Sequence, residues 1–166
     1  NIQDAAGGFR MSVKQVIVVR TRYPDGKGGF FKPRTGKLIA QGAHASMKVF
    51  FDRADVGFAW RVGRDSREFN TRDEPGNPGE PAMLTSLTED MAAWAAGSFA
   101  KVCVRATSEE QLLELHAQAK KAGLPCAIIQ DSGKTEFDGV ATYTALAIGP
   151  ALREDIDPIT GDLKLL

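Results

Sequence analysis

The sequence predicts an α/β domain, a three-layer α/β/α sandwich around a mixed, mainly parallel four-stranded sheet. Short β-branched runs alternate with longer segments of helical period, which is the pattern of layered α/β proteins. The length, 166 residues with 43% hydrophobic and 25% charged side chains, suits one domain that can bury a core without a disulfide or metal staple. The link between the third and fourth predicted strands is too short for a helical crossover, so that pair is expected to be antiparallel or otherwise mixed. Residues 1–12 read as a flexible N-terminal extension and residues 13–166 as a single domain.

Residues 14–20 form a buried strand, because Val16-Ile17-Val18-Val19 is a short β-branched run closed by polar residues. A loop follows to Gly36, with Pro24-Asp25-Gly26 as a turn signal and Gly28-Gly29 as a second break. A helix is expected over 36–53. Residues 61–80 carry Gly63, Pro75, Gly76, Pro78 and Gly79 and read as a long loop. Pro81 is expected to open the next helix, with Leu84, Leu87, Met91 and Trp94 on one face and Gly97 at its end.

A second strand over 99–106 places Val102, Val104 and Ala106 on one side. Ser108 and Gln111 make a capping-box pattern before an apolar face of Leu112, Leu113, Leu115, Ala119 and Ala122. Gly123 and Pro125 stop that helix. Strands over 125–130 and 142–149 and a short helix over 151–155 complete the chain, ahead of a turn at Thr160-Gly161.

Several function classes are disfavoured. No apolar run approaches the roughly 18 residues of a membrane span, and the first fifteen residues lack a signal-peptide core. A cytoplasmic protein with no membrane partner is expected. Cys103 and Cys126 lie in apolar runs and are expected in the core. With His44 and His116 they make no metal-ligand spacing, so no metal is expected. Net charge is zero, yet residues 1–60 hold ten Lys/Arg against four Asp/Glu. Six of those cations (Arg20, Arg22, Lys27, Lys32, Arg34 and Lys37) lie close together. They are either a phosphate-attracting patch or a solvated basic loop.

The helix from Gly36 carries the most informative pattern. Lys37, Gln41, His44 and Lys48 fall at about 0°, 40°, 340° and 20° around its axis, one narrow polar stripe. Almost all other positions are apolar or small, so most of the helix is expected to be buried, with one polar slot. His44 is either a packed core histidine or a reactive one. Lys37 opposes the helix dipole, and beside free backbone N–H groups near Gly36 it would suit an anion. Asp131 emerges past the strand Ala127-Ile128-Ile129, where α/β proteins bind ligands, with Thr135 able to curl back. Equally, Asp131 could serve only an Asx-type turn.

These segments resemble type II peptidyl-tRNA hydrolases, the archaeal and eukaryotic type also found in some bacteria. The similarity lies in Gly36-Lys37-Leu38-Ile39-Ala40-Gln41-Gly42-Ala43-His44-Ala45, in Gly123-Leu124-Pro125 and in Gln130-Asp131-Ser132-Gly133-Lys134-Thr135. It continues through Ile148-Gly149-Pro150 and Asp157-Pro158-Ile159-Thr160-Gly161-Asp162-Leu163-Lys164-Leu165. The match runs in order from Val13 to Leu166, with two interruptions. The resemblance implies an α/β/α domain, a homodimer, and hydrolysis of peptidyl-tRNA without cofactor or metal. It places Lys37 and Gln41 with Asp131 and Thr135 in the active site, and Thr144 as a further candidate. In two respects the chain departs from the pattern: residues 24–34 make a longer link, and Arg22 stands where an acidic residue is common.

The mechanism expected is direct hydrolysis, with Asp131 activating water and Lys37, Gln41 and Thr135 stabilising the oxyanion or the 3′-terminal phosphate. A Cys nucleophile is disfavoured because neither cysteine is expected at the surface. Arg20, Arg22, Gly36, His44, Lys134 and Thr144 are the expected substrate contacts, with the basic segment holding the tRNA backbone. A non-catalytic tRNA- or protein-binding member of the same fold is the main alternative. A small-molecule ester or amide hydrolase is the third.

Overall fold

A computed structural model describes residues 12–62, 66–72, 76, 79–134 and 137–166. The predicted extension lies almost wholly outside them. In chain order the elements are β1 (Val13–Arg20), β2 (Tyr23–Pro24), β3 (Phe30–Phe31), α1 (Thr35–Phe51), β4 (Ala54–Val62), β5 (Ser66–Asn70) and β6 (Glu80–Thr85). They continue with α2 (Glu89–Ala96), β7 (Lys101–Ala106), α3 (Glu109–Lys121), β8 (Cys126–Asp131), β9 (Thr142–Leu152) and α4 (Arg153–Thr160).

The main sheet has the order β7-β1-β9-β8. β1 pairs with β7 in parallel and with β9 antiparallel, and β8 pairs with β9 antiparallel. Three strands therefore run one way and β9 runs against both neighbours. β1 and β9 are central and buried on both faces, which explains their near-continuous apolar runs.

Strand alternation divides the core. Val16, Val18, Leu146 and Ile148 face α3 and α4, where they meet Leu112, Leu115, Ala119 and Ile156. Ala145, Ala147 and Ala127 face α1 and α2, against Ala45, Val49 and Met91, while Ile17 and Val19 meet Leu38. The small residues on this second side let α1 lie close. A Cβ added at Gly42 would sit 3.3 Å from Ile17 Cγ2 and 3.6 Å from Val19 Cγ2. Polar groups fix the same contact: buried Gln15 accepts the Ser46 hydroxyl at 2.6 Å and donates to Gly149 O at 3.2 Å.

Several expectations change. α1 is not buried all round. Leu38, Gln41, Gly42, Ala45, Ser46 and Val49 form its inner stripe, whereas Ile39 (66% exposed), Met47 (53%) and Phe51 (48%) face outward. The sheet covers one side of this helix and α2 reaches only its C-terminal end, where Phe50 stacks on Trp94, so the opposite side stays exposed. The expected 61–80 loop instead continues β4 and holds β5, and together with β6 these strands form a second, antiparallel sheet of order β5-β4-β6. Pro81 lies in β6 opposite Phe58 rather than opening a helix. An edge strand tolerates proline because its outer N–H side needs no ladder partner.

The second helix starts later, at Glu89. Thr88 caps it by accepting the Met91 N–H at 3.2 Å, and Glu89 and Asp90 complement the dipole. Leu84 and Leu87 are exposed in consequence, while Met91 and Trp94 are buried. The 23–36 loop contains the small β2–β3 hairpin, held by Asp25 accepting the Lys27 and Gly29 N–H groups at 2.8 Å each. α4 covers Arg153–Thr160 rather than 151–155.

Cys103 is exposed and Cys126 half-buried, against the core expectation. β7 is a sheet edge whose alternate residues Lys101, Cys103 and Arg105 all face solvent, while Val104 and Ala106 pack on α3. Leu113 and Ala122 likewise lie outside the buried face of α3. Among the described residues no helix is long and apolar enough to cross a membrane.

Candidate functional site

The first two turns of α1 lie beside the carboxyl end of β8. Lys37 stands in the first turn and Gln41 one turn on, both on the side facing the sheet. Asp131 is the last residue of β8, and Thr144 lies on the neighbouring strand β9. β9 alternates so that Ala145 and Ala147 meet α1, yet Thr144 reaches α1 as well. That break in alternation coincides with a register shift between Ile129 and Gln130, and such bulges commonly re-aim side chains.

The four side chains form one network. Asp131 Oδ2 accepts from Lys37 Nζ at 2.5 Å and from Gln41 Nε2 at 2.7 Å. Its Oδ1 accepts the Gly133 N–H at 2.8 Å. The Thr144 hydroxyl donates to Gln41 Oε1 at 2.6 Å, which fixes the amide with its nitrogen toward Asp131. Lys37 and Asp131 retain side-chain exposures of only 15% and 13%. The Lys37 ammonium also stands 5.6 Å from the centre of the Phe137 ring.

Burial is the largest single influence on Asp131 and opposes its ionisation. The Lys37 hydrogen bond, the Gly133 N–H, the Lys37 charge and the Gln41 amide together outweigh it, holding the carboxyl below its ordinary value. A sheltered carboxylate with an adjacent cation can take a proton from water while the cation meets developing negative charge. Among the described residues no group of three or more His, Cys, Asp or Glu is placed to hold a metal.

The family Peptidyl-tRNA hydrolase PTH2 matches residues 13–166 of this sequence. The chain belongs to that family. Relatives named peptidyl-tRNA hydrolase include one from Methanocaldococcus jannaschii, 34% identical over 154 residues, covering 93% of this chain and all of the relative. A second, from Methanopyrus kandleri, is 38% identical over 153 residues, covering 92% of this chain and 97% of the relative. A third, from Halobacterium salinarum, is 35% identical over 155 residues, with 92% and 99% covered.

Within this member of the family, Lys37, Gln41, Asp131 and Thr144 are brought together, and Thr135 lies outside the described residues. Thr144 is 1% exposed, and its hydroxyl is engaged by Gln41. Arg20 is buried and engaged: it donates to Glu109 Oε2 at 2.9 Å and to the carbonyls of Arg22 and Tyr143, and it stacks over Tyr23. Arg22 is exposed, its guanidinium 3.7 Å from the Phe30 ring centre. Gly36 and Lys134 are exposed near the pair in sequence. His44 is exposed on the outer side of α1, where it borders a groove with Met47, Phe51 and Ile129.

Gly133 and Phe137 were not singled out as site residues by the sequence. Gly133 has φ +81°, and a Cβ there would meet Val140 O at 2.4 Å, so the loop closes only around glycine. Asp-Ser-Gly was a usable signal: the Gly133 N–H bond to Asp131 is the Asx-type turn itself, and it coexists with the lysine pair. Nothing in sequence marks Phe137, which approaches Lys37 through that turn.

Proposed function

We propose that the chain hydrolyses the ester joining a peptidyl or N-blocked aminoacyl group to tRNA. Water is activated at Asp131, Lys37 stabilises the developing negative charge, and no metal takes part. Family membership supports the reaction. The observation that carries the residue roles is the convergence of Lys37 and Gln41 on one oxygen of Asp131 across 94 and 90 residues of sequence. Proton transfer by a placed carboxylate generally contributes about 10²–10⁴-fold, and one oxyanion donor about 10²–10³-fold.

In this scheme the carbonyl oxygen of the scissile ester draws the Lys37 ammonium away from Asp131 as charge builds. The carboxylate is thereby released to take the proton of the attacking water, and it returns that proton to the 3′-oxygen of the tRNA as the ester C–O bond breaks. Gln41, held by Thr144, keeps Asp131 in place during that exchange. Thr135 supplies a further donor. The exposed cations Arg22, Lys27, Lys32 and Arg34 hold the tRNA backbone, with little sequence preference and strong salt dependence. Gly36, His44 and Lys134 line the approach of the acceptor end.

The test is release of labelled N-acetyl-aminoacyl groups from tRNA. Lys37→Ala and Asp131→Asn should each lose about 10²-fold or more in turnover, with Asp131→Asn keeping its affinity for tRNA. Full activity in either variant removes that residue from the mechanism. A wild type that binds tRNA without releasing the acyl group supports the non-catalytic alternative instead. A cytoplasmic homodimer completes the proposal. A monomer by sedimentation would remove that element.

A further inference from the structure

A second cavity, of about 530 Å³, opens beside the Lys37–Asp131 pair. Its size is that of a small-ligand pocket. The β2–β3 hairpin and the loop after Asp131 build its walls, with Tyr23, Phe31 and Phe137 packed as an aromatic cluster; the Tyr23 and Phe137 ring centres are 4.7 Å apart. Two ties join the cavity to the pair. Phe137 lines it and stands against the Lys37 ammonium. Thr142 lines it and is the cross-strand partner of Asp131. A substrate whose ester lies at Asp131 therefore has one of its ends beside this space.

The charge of the lining decides which end. Arg20 is the only basic side chain among the described lining residues, and Glu109 neutralises it at 2.9 Å. Asp25 and Asp138 remain. Asp25 is kept ionised, its carboxyl lowered by the Lys27 and Gly29 N–H bonds. Two carboxylates facing one space repel phosphate groups and attract cations. Tyr23 and Phe137 are buried against their own cations, so of the aromatic walls it is half-buried Phe31 that offers apolar surface to a stem. The tRNA end, with its phosphates, does not fit that lining.

We propose that this cavity receives the acyl end of the substrate and favours acyl groups bearing a Lys or Arg side chain, with Asp25 and Asp138 as the specificity-determining residues. The inference rests on the hydrolytic function proposed above. In the complex the aliphatic stem lies along Phe31 and the charged tip meets Asp138 or Asp25.

One tRNA charged with N-acetyl-lysine, N-acetyl-norleucine or N-acetyl-glutamate provides the test. The expected order of kcat/KM is lysyl, then norleucyl, then glutamyl, with about three- to ten-fold between the first and last, as partly exposed charge pairs give. Asp138→Asn should shrink the lysyl-to-glutamyl ratio about two-fold or more. Asp138 has φ +51°, a conformation asparagine also accepts, so the variant keeps the loop. Equal kcat/KM for lysyl and glutamyl substrates in the wild type overturns the inference while leaving hydrolysis established. An equal change for all three acyl groups in Asp138→Asn also overturns it, since that is the behaviour of a pocket for the tRNA terminus. Hydrolysis of none of the three overturns both proposals.

Discussion

Asp131 holds three donors at once, so its protonation is tied to folding as well as to chemistry. Its carboxyl lies below the ordinary value of 3.8 in the folded protein. Near and below that value the unfolded chain binds the proton more readily than the native one. The stabilisation is therefore fully present at neutral pH and is lost as pH falls through the lowered native value. Asp131→Asn leaves Lys37 sheltered without its anion, at a cost of about 1–3 kcal/mol at pH 7. Urea unfolding across a pH series should show the wild type and this variant converging below about pH 4. A difference in stability that stays constant from pH 7 to pH 3 would show that the carboxylate contributes nothing through its charge.

At the scale of elements, the site depends on how closely α1 approaches the sheet. Gly42 is the contact point, with Ile17 and Val19 directly beneath it. Gly42→Val pushes two methyl groups into that space, and overpacking of this kind costs about 1–3 kcal/mol. The helix must move outward, taking Lys37 and Gln41 with it, so turnover should fall further than stability alone explains. Thermal unfolding and acyl release measured together decide this; a valine variant with unchanged Tm means that α1 does not rest on this point. The same element shows what was readable in advance. The position of Asp131 followed from its place beyond a buried strand, but the polar stripe of α1 does not hold together: Gln41 is buried against the sheet, whereas His44 is exposed on the outer side. That Lys37 and Asp131 meet was implied only by the family resemblance, because 94 residues separate them and no local period encodes a tertiary contact. The central strands were readable because burial on both faces makes them continuously apolar. The cap of α3 was too, with Ser108 accepting the Gln111 N–H at 3.1 Å. β4, β5 and β6 were not, since an exposed three-stranded sheet leaves half-polar strands that lack a core face to enforce alternation.

Viewed as a whole, the molecule is a four-stranded core with a second sheet hung between α1 and α2. β4, β5 and β6 pack chiefly on one another, and large apolar side chains such as Val56, Met83 and Leu84 stay exposed on them. Their attachment to the core is narrow: Thr85 Oγ1 donates to Phe50 O at 2.9 Å and Arg53 Nε donates to Ser86 O at 3.1 Å. At the base, Ala54 and Thr85 are register partners, so the two stem ends already lie within the reach of a tight turn. Replacing residues 55–84 by a two-residue Asn-Gly link should therefore leave the core sheet, its helices and the Asp131 network intact. Tm should change by no more than about 4 °C, the equivalent of about 1 kcal/mol in a domain of this size. Release of N-acetyl-aminoacyl groups should persist in the shortened chain, because among the described residues the hydrogen bonds of Asp131, Gln41 and Thr144 join α1, β8, β9 and Gly133 to one another. A collapse in stability would instead make the second sheet part of the folding unit. A normal Tm with turnover lost would place the second sheet in contact with the substrate, leaving the chemistry of the core pair in need of that outer surface.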